Sequence, residues 1–526
     1  MPKSILPFLI ILILSSCGEN QNTESEQLSQ QPNGLNTQII NSPTQEQENL
    51  IATKKGELSR HNYCGHCHGV PEADSLPKES WPETLRRMNM LFVYPNRMPK
   101  HSEKIPKDFI YDQNEFINIG RYYVETAQSK NSIRKKLEKS EFKILPQSTF
   151  KNIPIVFPAG SIQTLLDYSN SKKTLIVGGI GNRGFGFRVF DSNYKTINHK
   201  KSTEAPIAVS YKKDSCFLTT MGAMDTDKNT SSVIEYNTKS WAQKEKIHIS
   251  SAPRTTNILR GDFDNDGTSD IFLCGFGDNS GKGESFIYWG QKNNSYKKES
   301  ILKRNGALKV ISADLNNDNK LDFLVLLAQE HQSLLYFKNI GKRKYKVSNI
   351  ITRPIGWGFM DFEYIDINND GRKDIVTVVG NNMELKSNPL KPFHGVHIWN
   401  HVRGAEFKEE QFIYMQGASQ IEIADFNGDH KMDIACTALA PDWEQSNPTT
   451  FGVWLQDSNK RFNAYSFAKK DWSRFCLLTT RKQKNNTLLL LLSSSLPISL
   501  PQNPNEFLRK KLAQPSQLIQ LDLFGL

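Results

Sequence analysis

Residues 64–68 read C-G-H-C-H. Two thiols three positions apart, followed at once by an imidazole, make the attachment box of a c-type haem. In such a box Cys64 and Cys67 each add to a vinyl group, and His68 is held beside the ring as an axial ligand of iron. A zinc site needs a second ligand pair, yet the next cysteine is Cys216, far along the chain. A redox dithiol of thioredoxin type belongs inside a βαβ pattern, and none surrounds these residues. The far face of the ring needs a second donor from a segment that can wrap around it. Met88, Met90, Met98 and His101 all follow the box within reach.

A second chemistry lies further on. Four nonapeptides, DFDNDGTSD, DLNNDNKLD, DINNDGRKD and DFNGDHKMD, begin at Asp262, Asp314, Asp366 and Asp425, so their starts are 52, 52 and 59 residues apart. Positions 1, 3, 5 and 9 carry carboxylate or amide oxygens throughout. They are Asp262, Asp264, Asp266 and Asp270 in the first copy, and Asp314, Asn316, Asp318 and Asp322 in the second. The third has Asp366, Asn368, Asp370 and Asp374, and the fourth Asp425, Asn427, Asp429 and Asp433. Hard oxygen donors at alternate positions of a tight loop suit Ca²⁺, up to four ions in all. Position 6 must turn sharply. Gly267 and Gly371 do so freely, and Asn319 and His430 are among the types that tolerate positive φ. An EF-hand needs Glu at position 12, where Leu273 and Val325 stand. The competing reading is an Asp/Asn-rich hairpin turn with no metal.

The elements around these loops dictate the architecture. Alternating apolar residues precede each loop and a β-branched run such as 375–379 follows, so strands flank them. The repeat length suits one four-stranded propeller blade. Three further blades lack the acids: 165–167 leading to 174–177, 207–209 leading to 216–218, and 475–477 leading to 488–492. Seven blades are expected, with six or eight as alternatives, and residues 518–523 are placed as the strand that closes the ring. The segment around the box reads as helical instead. A short helix leads into it through Leu58, and another runs from Asp112, a candidate N-cap, to Thr126 with Phe116, Ile119 and Tyr123 on one face. Five prolines between residues 71 and 99 divide the intervening chain into turns and short helices.

The expected fold is thus multidomain: a small all-α cytochrome c-like domain at 51–128, a linker at 129–150, and an all-β propeller over 151–526. Ahead of these, residues 18–50 are rich in Gln, Asn, Ser and Glu, too polar to offset their own ordering entropy, and read as a flexible tether. Lys3 followed by an apolar run over 5–14 reads as an export signal, too short to span a bilayer as a mature helix. The run ends in L-S-S-C, which resembles a bacterial lipobox and implies cleavage ahead of Cys17 and lipidation of that cysteine.

Two further resemblances follow from the motifs. The acidic loops look like the FG-GAP or VCBS repeats of calcium-binding propellers. That likeness implies a further ligand from the carbonyl of position 7, which is Thr268, Lys320, Arg372 or Lys431. The helical segment resembles small monohaem cytochromes c, and more closely the cytochrome modules that precede repeat propellers in bacterial lipoproteins. The matching residues are the box itself, Leu76-Pro77-Lys78, Trp81-Pro82, Met88 and Tyr122-Tyr123. This resemblance implies Met88 as the second axial ligand.

Net charge of +11 over 526 residues, in scattered basic pairs, does not mark a nucleic-acid surface. Of the seven cysteines, Cys216, Cys274, Cys436 and Cys476 remain once the lipid and haem positions are set aside, each on an apolar strand where a buried free thiol is expected. No nucleophile elbow, phosphate loop or dinucleotide fingerprint is present in the sequence. The sequence therefore describes an exported, membrane-anchored protein, facing the periplasm or the cell surface, that transfers single electrons. Its propeller docks a redox partner protein, a small-molecule donor or another ligand. Two alternatives keep the same parts: a propeller that oxidises a small molecule and passes its electrons to the haem, and an adhesin-like binding protein with an accessory cytochrome.

Overall fold

The computed structural model describes residues 45–65, 70–94, 105–137, 142–157, 161–181, 185–222, 231–248, 254–277, 283–293, 295–329, 331–382, 388–483, 486–494 and 504–526. Cys17, Cys67, His68, Met98 and His101 lie outside the described residues.

Seven antiparallel sheets of four strands each, one of them with an added edge strand, form a seven-bladed propeller. The innermost strands are Ile162–Ser169, Pro206–Lys212, Thr255–Gly261, Ala307–Ala313, Phe359–Ile365, Ala418–Ala424 and Phe475–Gln483, which open blades 1 to 7 in chain order. Each lies beside the next, and the seventh beside the first. The middle strands of a blade are covered on both faces by neighbouring blades, so they are apolar in near-continuous runs rather than alternating. Every residue of Asp322–Leu327, for instance, is buried. The three blades without acidic loops stand where their apolar runs place them.

Polar side chains on the inner strands tie each blade to the following one. Asn257 Oδ1 accepts the Val310 amide at 3.2 Å, and Asp361 Oδ2 accepts that of Ile421 at 3.2 Å. Gln420 both accepts the Leu478 amide (2.9 Å) and donates to the Leu478 carbonyl (2.7 Å). These bonds satisfy backbone groups that a curved ring of strands leaves without a ladder partner.

Ring closure differs from the sequence expectation. Leu518–Leu521 is the third strand of blade 7, and the outermost strand is Phe150–Ile153 from the other end of the propeller, paired antiparallel with it. Joining both ends of the propeller in one blade leaves no open inner edge, which is how a propeller protects its strands. Blade 6 gains a short fifth strand, Lys143–Ile144, parallel to Phe462–Ser466.

Helices are few. Among the described residues four precede the propeller: α1 (Gln45–Cys64), α2 (Trp81–Val93), α3 (Gln113–Thr126) and α4 (Lys130–Leu137). A fifth, α5 (Glu506–Leu512), lies in a connection of blade 7. Helix α1 begins at Gln45, inside the segment that reads as tether, and continues to the first cysteine of the box. Helix α2 runs for 13 residues where the prolines predict turns and short helices, because Pro82 falls in its first turn, where a missing amide costs nothing. Helix α3 starts as the sequence predicts. The Asp112 carboxylate accepts the amides of Asn114 (2.7 Å) and Glu115 (3.2 Å), and Phe116, Ile119 and Tyr123 are buried. The charged linker contains α4, which the sequence pattern hides because its lysines mask the single buried Ile133.

Helices α1 and α3 cross at Gly56, where a Cβ would lie 2.0 Å from the Asn118 carbonyl oxygen. Gly56→Val is therefore expected to push the two helices apart and melt this region at lower temperature than the propeller. Circular dichroism at the helical band, followed on heating, reads the effect; an unchanged melting profile would count against this crossing.

The helices do not stand apart as an all-α domain. Arg134 of α4 makes a two-oxygen ion pair with Asp442 (3.0 Å) and a second contact with Glu444 (2.9 Å), and Lys130 also pairs with Glu444. Asp442 and Glu444 lie between the second and third strands of blade 6. The acidic loops instead join first strands to second strands, so the helices sit on the opposite face of the propeller from those loops.

Candidate functional site

The four acidic loops share one hydrogen-bonded frame. In each, the aspartate at position 1 accepts the amides of positions 5 and 6. Asp262 accepts those of Asp266 (3.0 Å) and Gly267 (2.9 Å), and Asp314 those of Asp318 (3.1 Å) and Asn319 (2.9 Å). Asp366 and Asp425 do the same for Asp370 with Gly371 and for Asp429 with His430. The turn at position 6 has positive φ in all four, at Gly267, Asn319, Gly371 and His430. Position 4 also has positive φ, at Asn265, Asn317, Asn369 and Gly428. The sequence carries that signal as the recurrent Asn or Gly, the residues that enter this region at least cost.

Position 9 works differently from the other three. Asp270, Asp322, Asp374 and Asp433 are buried, and both oxygens of each are engaged. One oxygen of Asp270 accepts the Phe263 amide and the other that of Gly290, both at 2.8 Å. Asp433 likewise bridges Phe426 and Gln456, each at 2.9 Å. These two carboxylates clamp the start of the loop to the third strand of the blade. Burial pushes the Asp270 and Asp433 carboxyls up to about 6 despite the amides that hold them. Position 5 goes the other way. Thr268 holds Asp266 below the usual carboxylate range, and the Lys320 and Arg372 amides do so for Asp318 and Asp370.

One loop gathers carboxylates closely enough for a cation: Asp262, Asp264 and Asp270 each bring an oxygen within 4.8 Å of the others. In the other three loops position 3 is an amide, Asn316, Asn368 or Asn427, which brings no charge. A basic group stands beside every loop. Arg343, from blade 4, reaches Asp264 (2.5 Å) and Asp266 (3.3 Å). The side chains of Lys320, Arg372 and Lys431 pair with the position-5 aspartates of their own loops at 3.6, 3.2 and 2.8 Å.

On the opposite face, Cys64 ends α1 and is buried in an apolar cluster with Tyr63, Leu76, Trp81, Leu85, Ile119 and Tyr123. Met88, on α2, packs against the same cluster. The segment that follows the box is held by three hydrogen bonds. Arg60 Nη1 (2.8 Å) and the Tyr123 hydroxyl (2.9 Å) both donate to the Pro71 carbonyl, and Trp81 Nε1 donates to the Ala73 carbonyl at 2.8 Å. Trp81 also stacks on Tyr123 with ring centres 3.9 Å apart. Burial, with Cys64 close by, pushes the Tyr123 phenol up. A cavity of about 180 Å³ opens between this segment and blade 5, with Met88, Trp81 and Leu76 on one side.

The histidines at 394, 397 and 401 are close together in the chain but do not converge. His397 Nδ1 lies 2.6 Å from Glu409, His401 Nε2 lies 2.9 Å from the Gly404 carbonyl, and His394 accepts the Gly417 amide, so the three share no centre. Trp357 stacks on Phe393 and Trp399 donates to Thr377, while Trp443 joins a small cluster with Trp472 and Leu508. All three are packing residues. Cys216, Cys274, Cys436 and Cys476 are buried free thiols. A buried ionic group that the sequence pattern does not disclose lies between blades 4 and 5, where Lys309 Nζ contacts Asp361 (2.7 Å) and Glu363 (2.9 Å).

A family model described as an FG-GAP-like repeat matches residues 262–325 and 314–377. These spans take in the first three acidic loops; the fourth, at 425–433, has the same hydrogen-bonded frame. No curated protein matches this chain. Similar solved structures include BBS1N in complex with ARL6DN, at 9% identity over 68% of this chain and 91% of that one, with a TM-score of 0.39. The WD40 domain of SCAP from fission yeast is 9% identical over 73% of this chain and 90% of that one, with a TM-score of 0.38. BamB from Moraxella catarrhalis is 9% identical over 69% and 84%, with a TM-score of 0.36. Likenesses at this level carry nothing about function. FG-GAP-like repeats within a seven-bladed propeller suggest a binding or docking role.

Proposed function

We propose that this chain is an exported c-type cytochrome, anchored to a membrane by lipid on Cys17, that transfers single electrons. In this reading its calcium-stabilised propeller docks the redox partner or small-molecule donor. The observation that carries the reading is that Cys64, which opens the C-x-x-C-H box, and Met88 meet at one apolar cluster beside a cavity. The helical side of that cavity carries Leu76, Trp81 and the Met88 thioether, the kind of surface the face of a haem would pack against. A haem bound there supplies one-electron redox chemistry.

The chain's own residues then divide the work. Cys64 and Cys67 would hold the group through their sulfurs, and His68 would hold its iron through the imidazole. Met88 would hold the iron through its thioether, a donor that favours the reduced state. Leu76 and Trp81 would keep water from that side, and the crossing of α1 on α3 holds Cys64 at a helix end. The full-length protein, matured with haem in a bacterial membrane, should carry one covalent haem, low-spin in both oxidation states. It should remain membrane-bound unless Cys17 is replaced by serine. A purified protein that is colourless after maturation would rule this reading out.

Each acidic loop would hold one calcium ion through positions 1, 3, 5 and 9 and the position-7 carbonyl of Thr268, Lys320, Arg372 or Lys431. Without a cation the close carboxylates of the Asp262 loop repel one another. An ion bound only by the folded state stabilises it by mass action, about 2.7 kcal/mol at a hundredfold excess over the dissociation constant. Chelation is therefore expected to lower the melting temperature of the propeller by several degrees and to leave the haem spectrum nearly unchanged, because the helices lie on the other face. Scanning calorimetry with and without chelator measures this. Superimposable curves would mean that the loops are hydrogen-bonded turns held by Arg343, Lys320, Arg372 and Lys431 alone.

A further inference from the structure

We infer that the outward face of α1 lies on the surface of the bilayer to which the chain is anchored, with Ile51 and Leu58 entering the boundary between headgroups and acyl chains. This rests on the anchored reading above and deepens it, because it names what the helices meet at the end of the tether.

Two stripes divide α1. Ala52, Gly56, Arg60 and Tyr63 recur at helical spacing and are buried, with Gly56 against α3. On the other side Ile51 and Leu58 stand seven residues apart, about two turns, and so lie one above the other. They are 50% and 77% exposed, and Leu50 beside them is 57% exposed. Lys54 and Lys55 are exposed between them. Their long stems can lie along an apolar surface while the ammonium groups stay in water.

A single exposed leucine is ordinary, but this exposure is concentrated. Seven of the fifteen exposed large apolar side chains among the described residues lie within 45–137, although the propeller is several times larger. Such a surface marks a contact with a membrane or with protein. The course of the chain favours the membrane. Helix α1 is the first described element, and 27 residues, 18–44, separate it from Cys17. A coil of that length spans about 30 Å, so lipid on Cys17 would hold α1 close to the bilayer. Glu46, Glu48 and Glu57 balance Lys54, Lys55 and Arg60, so apolar surface carries the contact and anionic lipid is not required. The helix then lies flat in the interface, one side on α3 and the other reaching about 5–10 Å into the headgroup boundary.

The test uses the full-length, matured protein in phosphatidylcholine vesicles that contain a phospholipid with a diazirine near the top of its acyl chain. Light expels dinitrogen, and the carbene left behind inserts into the bonds it touches. Mass spectrometry then locates the lipid adducts. They are expected on the peptide around Ile51 and Leu58. They should be absent around Ile340, which is 54% exposed but stands on the face of the acidic loops, beside blade 4's Arg343. Ile51→Glu with Leu58→Glu should remove the α1 adducts while the protein stays membrane-bound through Cys17. The milder Leu58→Gln should lower them too, and the helical circular dichroism should hold in every variant, since both side chains are exposed. A membrane-bound wild type without adducts on α1 overturns this inference and spares the anchored reading. A dimer that Ile51→Glu dissociates also overturns it, because a second copy then covers this face. Wild-type protein that stays out of membranes overturns the anchored reading. Adducts formed on α1 when vesicles are added to it would still support the contact, and their absence would overturn both.

Discussion

Cys64→Ala is expected to leave at most one covalent link between chain and haem, and Cys64→Ala with Cys67→Ala none. Each thioether needs its own sulfur, and the four remaining described thiols lie buried in propeller strands. The double variant should release its colour into acidified organic solvent, and its mass should equal that of the bare processed polypeptide. The single variant also removes a buried side chain from the core around Tyr63 and Tyr123, so some loss of helical stability accompanies the chemistry. Met88→Ala should leave the haem attached and abolish only the methionine-to-iron absorption band. If the double variant retained a covalent haem, the box would not be the attachment site. If Met88→Ala kept the methionine band, the second ligand would be another residue, with Met98 the first alternative.

Replacing Lys309 by methionine is expected to be among the most damaging changes to the propeller. Its ammonium is almost fully buried between Asp361 and Glu363. Burial opposes the charge, yet the two carboxylates hold the amine protonated above its ordinary range. Removing it strands the Asp361 carboxylate in the core, where burial already pushes that carboxyl up. Breaking a buried pair from one side costs about 3–5 kcal/mol. The loss should show as a large fall in the denaturant midpoint. A second change, Asp361→Asn, should recover much of it, because an amide oxygen can still accept the Ile421 N–H and carries no charge. The single variant should also regain stability as pH falls. Its stranded acid then has a folded pKa above the unfolded one, so its cost is absent at low pH and grows as pH rises above the unfolded value, until the folded value is passed. A denaturant midpoint equal to that of the wild type, or a double variant no better than the single, would show that the ionic group is not the tie between blades 4 and 5.

Much of the fold is legible in local patterns of the chain. The acids at positions 1, 3, 5 and 9 of four nonapeptides, with their flanking apolar runs, are enough for the blade period and for the loops between first and second strands. The Asp112 cap and the helical spacing of Phe116, Ile119 and Tyr123 are enough for α3. Each of these signals lies within a few residues of chain, where backbone preference and burial pattern coincide. Lys309 is visible in the sequence only as a charge within the apolar strand Ala307–Ala313. Its partners are not, since they lie on another blade.

The roles within the loops divide in the same way. Sequence makes positions 1, 3, 5 and 9 equivalent donors. The structure separates them, because only position 9 is carried under the blade, where in the Asp270 loop its two oxygens meet amides of the loop start and of the third strand. The charge beside the Asp262 loop comes from Arg343, 79 residues from Asp264, so no window on the sequence joins them.

By itself the sequence determined where the acidic loops and the strands flanking them fall, because loop and blade period are short-range and repeat. Tertiary structure alone decided how the ring closes, through Phe150–Ile153 on Leu518–Leu521, and where the helices sit. It also decided that blade 5 brings Lys391 and Asn382 to the cavity at Met88. Those contacts join residues far apart in the chain, and their energy comes from burying groups whose partners exist only once the propeller has formed.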